Sequence, residues 1–205
     1  LPPAERRAQL LACALRVFAR RGLGEARHAE IAKEGGVSLS SVFFYFPTRA
    51  ALVGAVLDEV ERFYLTMAEQ IHEGGLPVPR VLWEHAVVFA ESVDSHPDYA
   101  RVWLDWSTAI RDEVWPRYLG FQERLVSVLR RTVARGQREG AFAADVDAED
   151  VARFLVSSAH MVAQMKFTRC APERVERFMR TVIRAAIGGL LSDSSTAPVE
   201  GAVNR

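Results

Sequence analysis

Ten residues, Val37 to Phe46, separate the Gly35-Gly36 pair from Pro47. A window that short has room for one helix of roughly two turns and for no strand pair. Ser38 has a short side-chain oxygen suited to capping a helix, and Pro47 cannot continue one, so the spacing predicts a helix over 39–45. Just upstream, Ile31 and Ala32 lie on a second short helix, predicted over 27–34 and ended by the two glycines, with Val37 as a buried anchor after the turn. Two short helices set at a steep angle by a tight turn are the plan of a helix-turn-helix. Ser40 and Ser41 sit on the leading turn of the second helix. They are small enough to let its backbone approach a groove floor, and their hydroxyls can reach base edges or phosphates.

Elsewhere the apolar residues recur at helical spacing. Leu11, Ala14, Leu15 and Phe18 define an amphipathic helix over 4–21, with Arg20, Arg21 and Gly22 as its basic end and stop. Further helices are predicted at 49–72 (capped by Thr48), 79–95, 98–109, 113–139, 148–167 (capped by Asp147) and 173–190 (opened by Pro172). No alternating strand pattern, internal repeat or long linker interrupts them. The expected fold class is all-α, an N-terminal three-helix helix-turn-helix head on a helical body. The head is assigned to 1–48 and the body to 49–191. The Ser-, Ala-, Gly- and Pro-rich segment 192–205 is expected to be a disordered tail.

Net charge is zero, with 26 basic and 26 acidic side chains, but the average hides an asymmetry. Residues 1–50 hold eight basic against four acidic side chains, a net +4, which leaves −4 on the remaining 155. A basic head on an acidic body points to a polyanion partner, although four charges are also ordinary surface variation. Arg124, Arg130, Arg131, Arg135 and Arg138 share one helix; they read as a solvated face paired with Asp145, Asp147, Glu149 and Asp150 rather than as a second polyanion site.

The pattern Ile-Ala…Gly-Val-Ser-x-x-Ser-Val-Phe-x-Tyr-Phe-x-x-Arg-x-x-Leu over Ile31–Leu52 resembles the TetR family of bacterial regulators. Within it, four stretches resemble the LuxR/HapR branch of quorum-sensing master regulators. They are Leu1-Pro-Pro-Ala-Glu-Arg-Arg, His28-Ala29-Glu30-Ile31-Ala32, Val42–Arg49, and the tryptophan-rich run Val102–Ser107 with Arg111–Pro116. The resemblance extends to about residue 167. It implies a homodimer of about nine helices per subunit that binds a near-palindromic double-stranded DNA operator. Ser40, Ser41, Phe43, Phe44 and Tyr45 would lie on the groove-facing helix, Arg49 near phosphate, and His28 and Ala29 close to the DNA backbone. Arg6 and Arg7 would continue a basic arm reaching into the minor groove, most of it upstream of Leu1. The branch usually carries Asn where this sequence has Phe44, so a hydrogen bond to a base edge is replaced by apolar contact, for instance to a thymine methyl. The alternative for these residues is structural: Val42, Phe46 and Phe43 as core, and Tyr45 stacked on the fourth helix.

In the body, two apolar stripes stand out: Val151, Phe154 and Val162 on one helix, and Val175, Phe178, Met179, Val182, Ile183 and Ile187 on the last. By themselves they are consistent with packing inside one subunit or with a four-helix bundle between two copies; the resemblance favours the dimer. Tyr64, Phe89, Trp103, Trp106, Tyr118, Gln122, Leu155 and Met161 come from helices that the family places around a cavity, and would wall a site for a small apolar or amphipathic ligand. Aromatic residues at helical spacing are equally consistent with plain core.

Other classes find little support. The five histidines are scattered, and no His-Glu-x-x-His, Cys-x-x-Cys or Gly-rich phosphate loop occurs. Ser157-Ser158-Ala159-His160 lacks the glycines of a nucleophile elbow. A non-enzyme without metal or cofactor is therefore expected. A small-molecule carrier or a local repressor released by its ligand are the alternatives to a quorum-type regulator. Cys13 and Cys170 are expected to be free thiols in a reducing cytoplasm, and no apolar run approaches a membrane span, so no membrane partner is expected.

Overall fold

The computed structural model describes residues 1–188 as nine α-helices, with no strand among them. They are α1 (Pro3–Arg21), α2 (His28–Gly35), α3 (Leu39–Tyr45), α4 (Arg49–His72), α5 (Val78–Ser95), α6 (Pro97–Thr108), α7 (Trp115–Arg138), α8 (Ala148–Phe167) and α9 (Pro172–Gly188). The all-α expectation holds, and no predicted boundary moves by more than two residues. The expected tail at 192–205 and the end of the last helix beyond Gly188 lie outside the described residues.

Local chemistry accounts for the boundaries. Ser38, Thr48 and Asp147 each accept hydrogen bonds from backbone N–H groups of the turn they open, at 3.2 Å from Ser41, 3.0 Å from Ala51, and 2.7 and 3.0 Å from Glu149 and Asp150. Helices α5, α6 and α7 carry Pro in the first turn, where its missing N–H costs nothing. Gly36 ends α2 at φ 61°, ψ 36°, the left-handed conformation open to glycine at little cost.

Helix α1 packs on α2, α4 and α6, and α2 on α3. Helices α4, α5, α7, α8 and α9 form the body, with α8 lying along both α7 and α9. One continuous core runs from Leu10, Phe18, Ile31, Val42 and Phe46 in the first three helices through Leu52 and Val56 to Trp103, Trp106 and Phe121. A second cluster fills the far end around Val78, Val133, Phe142 and Ala152. Helix α6 links α1 to the body helices α4, α5 and α7. Its Asp105 carboxylate accepts the N–H of Leu23 at 2.6 Å, in the α1–α2 turn, while Arg49 on α4 donates to the carbonyls of the same turn, Leu23 and Gly24. The turn is thus held from both sides by body helices.

Candidate nucleic-acid interface

Helix α3 is held from beneath by two residues. Val42 and Phe46 are buried, at 0% and 1% exposure, against the other helices. The opposite side faces outward: Leu39, Ser40, Phe43 and Phe44 are exposed, Phe44 at 77%. The Phe44 and Tyr45 rings meet edge to face, 5.0 Å apart at 89°. Ser38 Oγ lies 3.0 Å from Ser40 Oγ, which fixes the leading turn. One exposed apolar ring is ordinary, but Leu39, Phe43 and Phe44 set three exposed apolar side chains on one short helix, the kind of grouping that marks a contact. Helix α4 leaves at 67° to α3, so α3 projects from the molecule rather than continuing a long rod.

Charge around α3 is sorted by pairing. Arg16 and Arg20 both hold Glu34, at 2.9 and 2.8 Å, and Arg21 holds Glu30 at 2.6 Å. The hydrogen bonds from Arg16 and then Arg20 keep the Glu34 carboxyl below the usual carboxylate range. The acidic side chains of α2 are therefore neutralised from α1. Arg6, Arg7, Lys33 and Arg49 have no ion pair among the described residues, and Arg27 reaches only 3.9 Å from Glu25. Arg7 lies over the Phe46 ring, 5.3 Å from its centroid, beside the end of α3.

Three head residues make contacts that the sequence did not specify. His28 is buried at 8% exposure: its Nε2 is 2.9 Å from the Phe46 carbonyl and its ring stacks on Phe43 at 4.3 Å and 11°. It ties the start of α2 to the end of α3 instead of pointing outward, and leaves exposed Ala29 as the outward residue of that turn. Phe43, placed from sequence on the groove-facing side with core as the alternative, is 43% exposed and stacks on His28. Arg49 spends one guanidinium nitrogen on the Leu23 and Gly24 carbonyls, and Arg27 also donates to the Gly24 carbonyl, at 2.8 Å.

Residues 10–56 match the model of the bacterial regulatory proteins of the tetR family. The chain is 38% identical over 119 residues to the HTH-type transcriptional regulator LuxR of Vibrio harveyi; the match spans 58% of each protein. The fold is that of the fatty acid degradation regulator FadR from Bacillus halodurans, with TM-score 0.77, 17% identity, and 93% and 97% of the two chains covered. It is also that of a cysteine mutant of the TetR-family regulator CifR bound to a 26-base-pair operator, with TM-score 0.74, 20% identity, and 87% and 95% covered. Residues 10–56 thus carry the tetR-family segment, and the described chain shares its fold with the regulators just named.

The helical body contains an apolar cavity between α4, α5, α6, α7, α8 and α9. Of the eight residues named from sequence, Tyr64, Phe89, Trp103 and Leu155 line it. Four do not. Trp106 is fully buried beside it, stacked on Phe121 at 5.5 Å with its Nε1 donating to the Val114 carbonyl at 3.0 Å. Tyr118 packs on Trp115 with its hydroxyl toward His160, Gln122 lies elsewhere on α7, and Met161 turns to the surface at 46% exposure. The wall is completed by residues that the sequence reading passed over, among them Leu82, His85, Ala86 and Ala159. The first three share a helical stripe with Phe89, which was the available signal.

The two apolar stripes face mainly inward. Val162, Phe178, Met179, Val182 and Ile183 line the cavity, and Val151 and Val175 are buried at 8% and 3% exposure. Within the subunit they serve the core and the cavity wall. Only Phe154 and Ile187 of the named set are half-buried and clear of the cavity. On α8 the exposed residues are Asp150, Ser157, Met161 and Gln164. The arginines of α7 also pair differently from expectation. Only Arg130 reaches the acidic cluster, 3.7 Å from Glu149; Arg124 pairs with Glu61, and Arg135 donates to the Gly74 and Leu76 carbonyls at 3.0 and 3.1 Å. Asp147 is occupied as a helix cap.

Proposed function

We propose that this chain is a homodimeric DNA-binding transcriptional regulator of LuxR/HapR type, acting in the cytoplasm on a near-palindromic operator and modulated by a small molecule, with no catalytic activity. The observation that carries the reading is the outward face of α3, where Ser40, Phe43 and Phe44 stand exposed on a helix anchored by Val42 and Phe46. Residues 1–48 act as the head and the helices from 49 onward as the body. Ser40 and Ser41 approach base edges or phosphate, Phe44 offers apolar contact to a thymine methyl, and Tyr45 supports it edge to face. Arg6, Arg7, Arg27 and Lys33, with Ala29 at the opening of α2, serve the phosphates. Arg49 positions the α1–α2 turn through the Leu23 and Gly24 carbonyls and lends its charge to the phosphate-facing side.

Dimerisation uses the outward residues Ser157, Met161 and Gln164 of α8 with Phe154 and Ile187, in a bundle of α8 and α9 from two copies. Two such heads lie about one DNA turn apart, roughly 34–36 Å. The cavity walled by Tyr64, Phe89, Trp103 and Leu155 holds the effector, and its occupancy shifts the population of head spacings.

The test is a gel-shift titration against the DNA upstream of the protein's own gene. Wild type should bind with an affinity that falls steeply with salt. Phe44→Ala should weaken specific binding about tenfold, the size of one base contact, without loss of stability because that ring touches little protein. Equal affinity of wild type and variant, or no retention at low salt, would reject the reading.

A further inference from the structure

The cavity carries one buried polar atom that the protein does not satisfy. Tyr64 is 5% exposed, lies among Phe89 and Trp103 at ring distances of 5.9 and 5.7 Å, and its hydroxyl has no hydrogen-bond partner. A buried hydroxyl left unpaired is costly, and native structures rarely keep one without a use for it. A second polar group stands in the same wall. His85 spends its Nδ1 on His72 Nε2 at 2.8 Å, and His72 Nδ1 in turn meets Thr132 Oγ1 at 2.7 Å. That chain leaves His85 Nε2 without a protein partner in a residue that lines the cavity. Ser158, the other polar residue there, already donates to the Leu155 carbonyl at 2.7 Å.

No Asp, Glu, Lys or Arg lines the cavity. Burial holds the imidazole of His85 at about 4 and that of His72 at about 3, so both rings are neutral near pH 7. A charged ligand group would find no counter-ion, and an uncompensated buried charge is far more costly than an unpaired dipole.

We propose that the cavity takes an uncharged, mainly apolar ligand whose single polar end, a carbonyl or hydroxyl, accepts the Tyr64 hydroxyl hydrogen bond. This deepens the reading of the cavity as the effector site and rests on it. Tyr64 selects for a neutral polar end, and the apolar wall takes the rest of the molecule. A fatty carboxylate of the same length is rejected, not for its shape but for its charge.

The full chain can be titrated with methyl octanoate and with octanoate, read by tryptophan fluorescence, since Trp103 forms part of the wall. The ester should bind at least about tenfold more tightly than the carboxylate at neutral pH. Tyr64→Phe keeps the ring and removes the hydroxyl; it should weaken the ester about threefold to tenfold and leave the carboxylate as poor as before. Ala159→Phe, which fills the cavity from α8, should abolish ester binding. Ester binding lost in Ala159→Phe but unchanged in Tyr64→Phe, or octanoate binding as well as the ester, would overturn the ligand class while leaving the cavity as a site. Ester binding unchanged in Ala159→Phe, or no binding of either probe, would overturn both the proposal and the effector reading, with the DNA titration standing apart.

Discussion

Acid should weaken this protein through two histidines that it buries in neutral form. His72 and His85 bond to each other between α4 and α5, and burial is the main cause that lowers both, to about 3 and about 4. The nearby positive charges of Arg135 and Arg131 lower His72 further. Above the unfolded value of about 6.5 both rings are neutral in either state, so the stability is complete there. As pH falls below that value, the unfolded chain takes up protons that the folded chain refuses, and the loss is complete only once pH reaches the folded values. At about pH 5 the unfolded rings are almost fully protonated and the folded ones almost not. That difference is worth about 2 kcal/mol per histidine, about 4 kcal/mol for the pair. Against a domain stability of roughly 5–15 kcal/mol, such a loss is readily measured. Urea unfolding followed by tryptophan fluorescence at about pH 7.5 and about pH 5 gives it directly. Carboxylates titrate in the same experiment, so the informative quantity is the difference between wild type and His85→Leu. The leucine suits the apolar wall and removes one of the two titrating rings. Its acid loss should be smaller than that of wild type by about 2 kcal/mol. Equal acid losses in the two proteins would refute the argument that these rings are held neutral by the fold.

Gly136→Ala tests the far core: a Cβ there would come within 2.7 Å of the Phe142 ring and 3.1 Å of Val78, so the gain of about 1 kcal/mol in helix propensity should be outweighed and thermal unfolding should shift downward. Asp105→Ala removes the acceptor for the Leu23 N–H and should cost about 1–2 kcal/mol. Amide hydrogen exchange should then quicken in the α1–α2 turn but not in α7 or α8; an unchanged turn would show that Arg49 alone holds it.

Helix boundaries were legible because their causes are local. Ser38, Thr48 and Asp147 cap the turn beside them in sequence, Gly36 supplies its own left-handed φ, and the first-turn prolines act on their own residues. The outward serines and aromatics of α3 could be read for the same reason: once Val42 and Phe46 are placed inward, a seven-residue helix has little choice about what it presents.

What faces what was another matter. The stripe from Val175 to Ile187 announced that α9 buries one side, yet only packing decided that Phe178, Met179 and Val182 close a cavity within the subunit. Trp103 and Trp106, three positions apart, diverge into cavity wall and sealed core. His28 turned inward and His85 became a wall residue, though nothing in their neighbours along the chain distinguished them. Caps, breakers and amphipathic period act over one or two turns, and the sequence alone therefore determined the nine helices of the described residues and the outward face of α3. Which apolar face meets which, and which polar atom is left without a partner, depends on side chains brought together from distant helices, and only the tertiary structure could decide it.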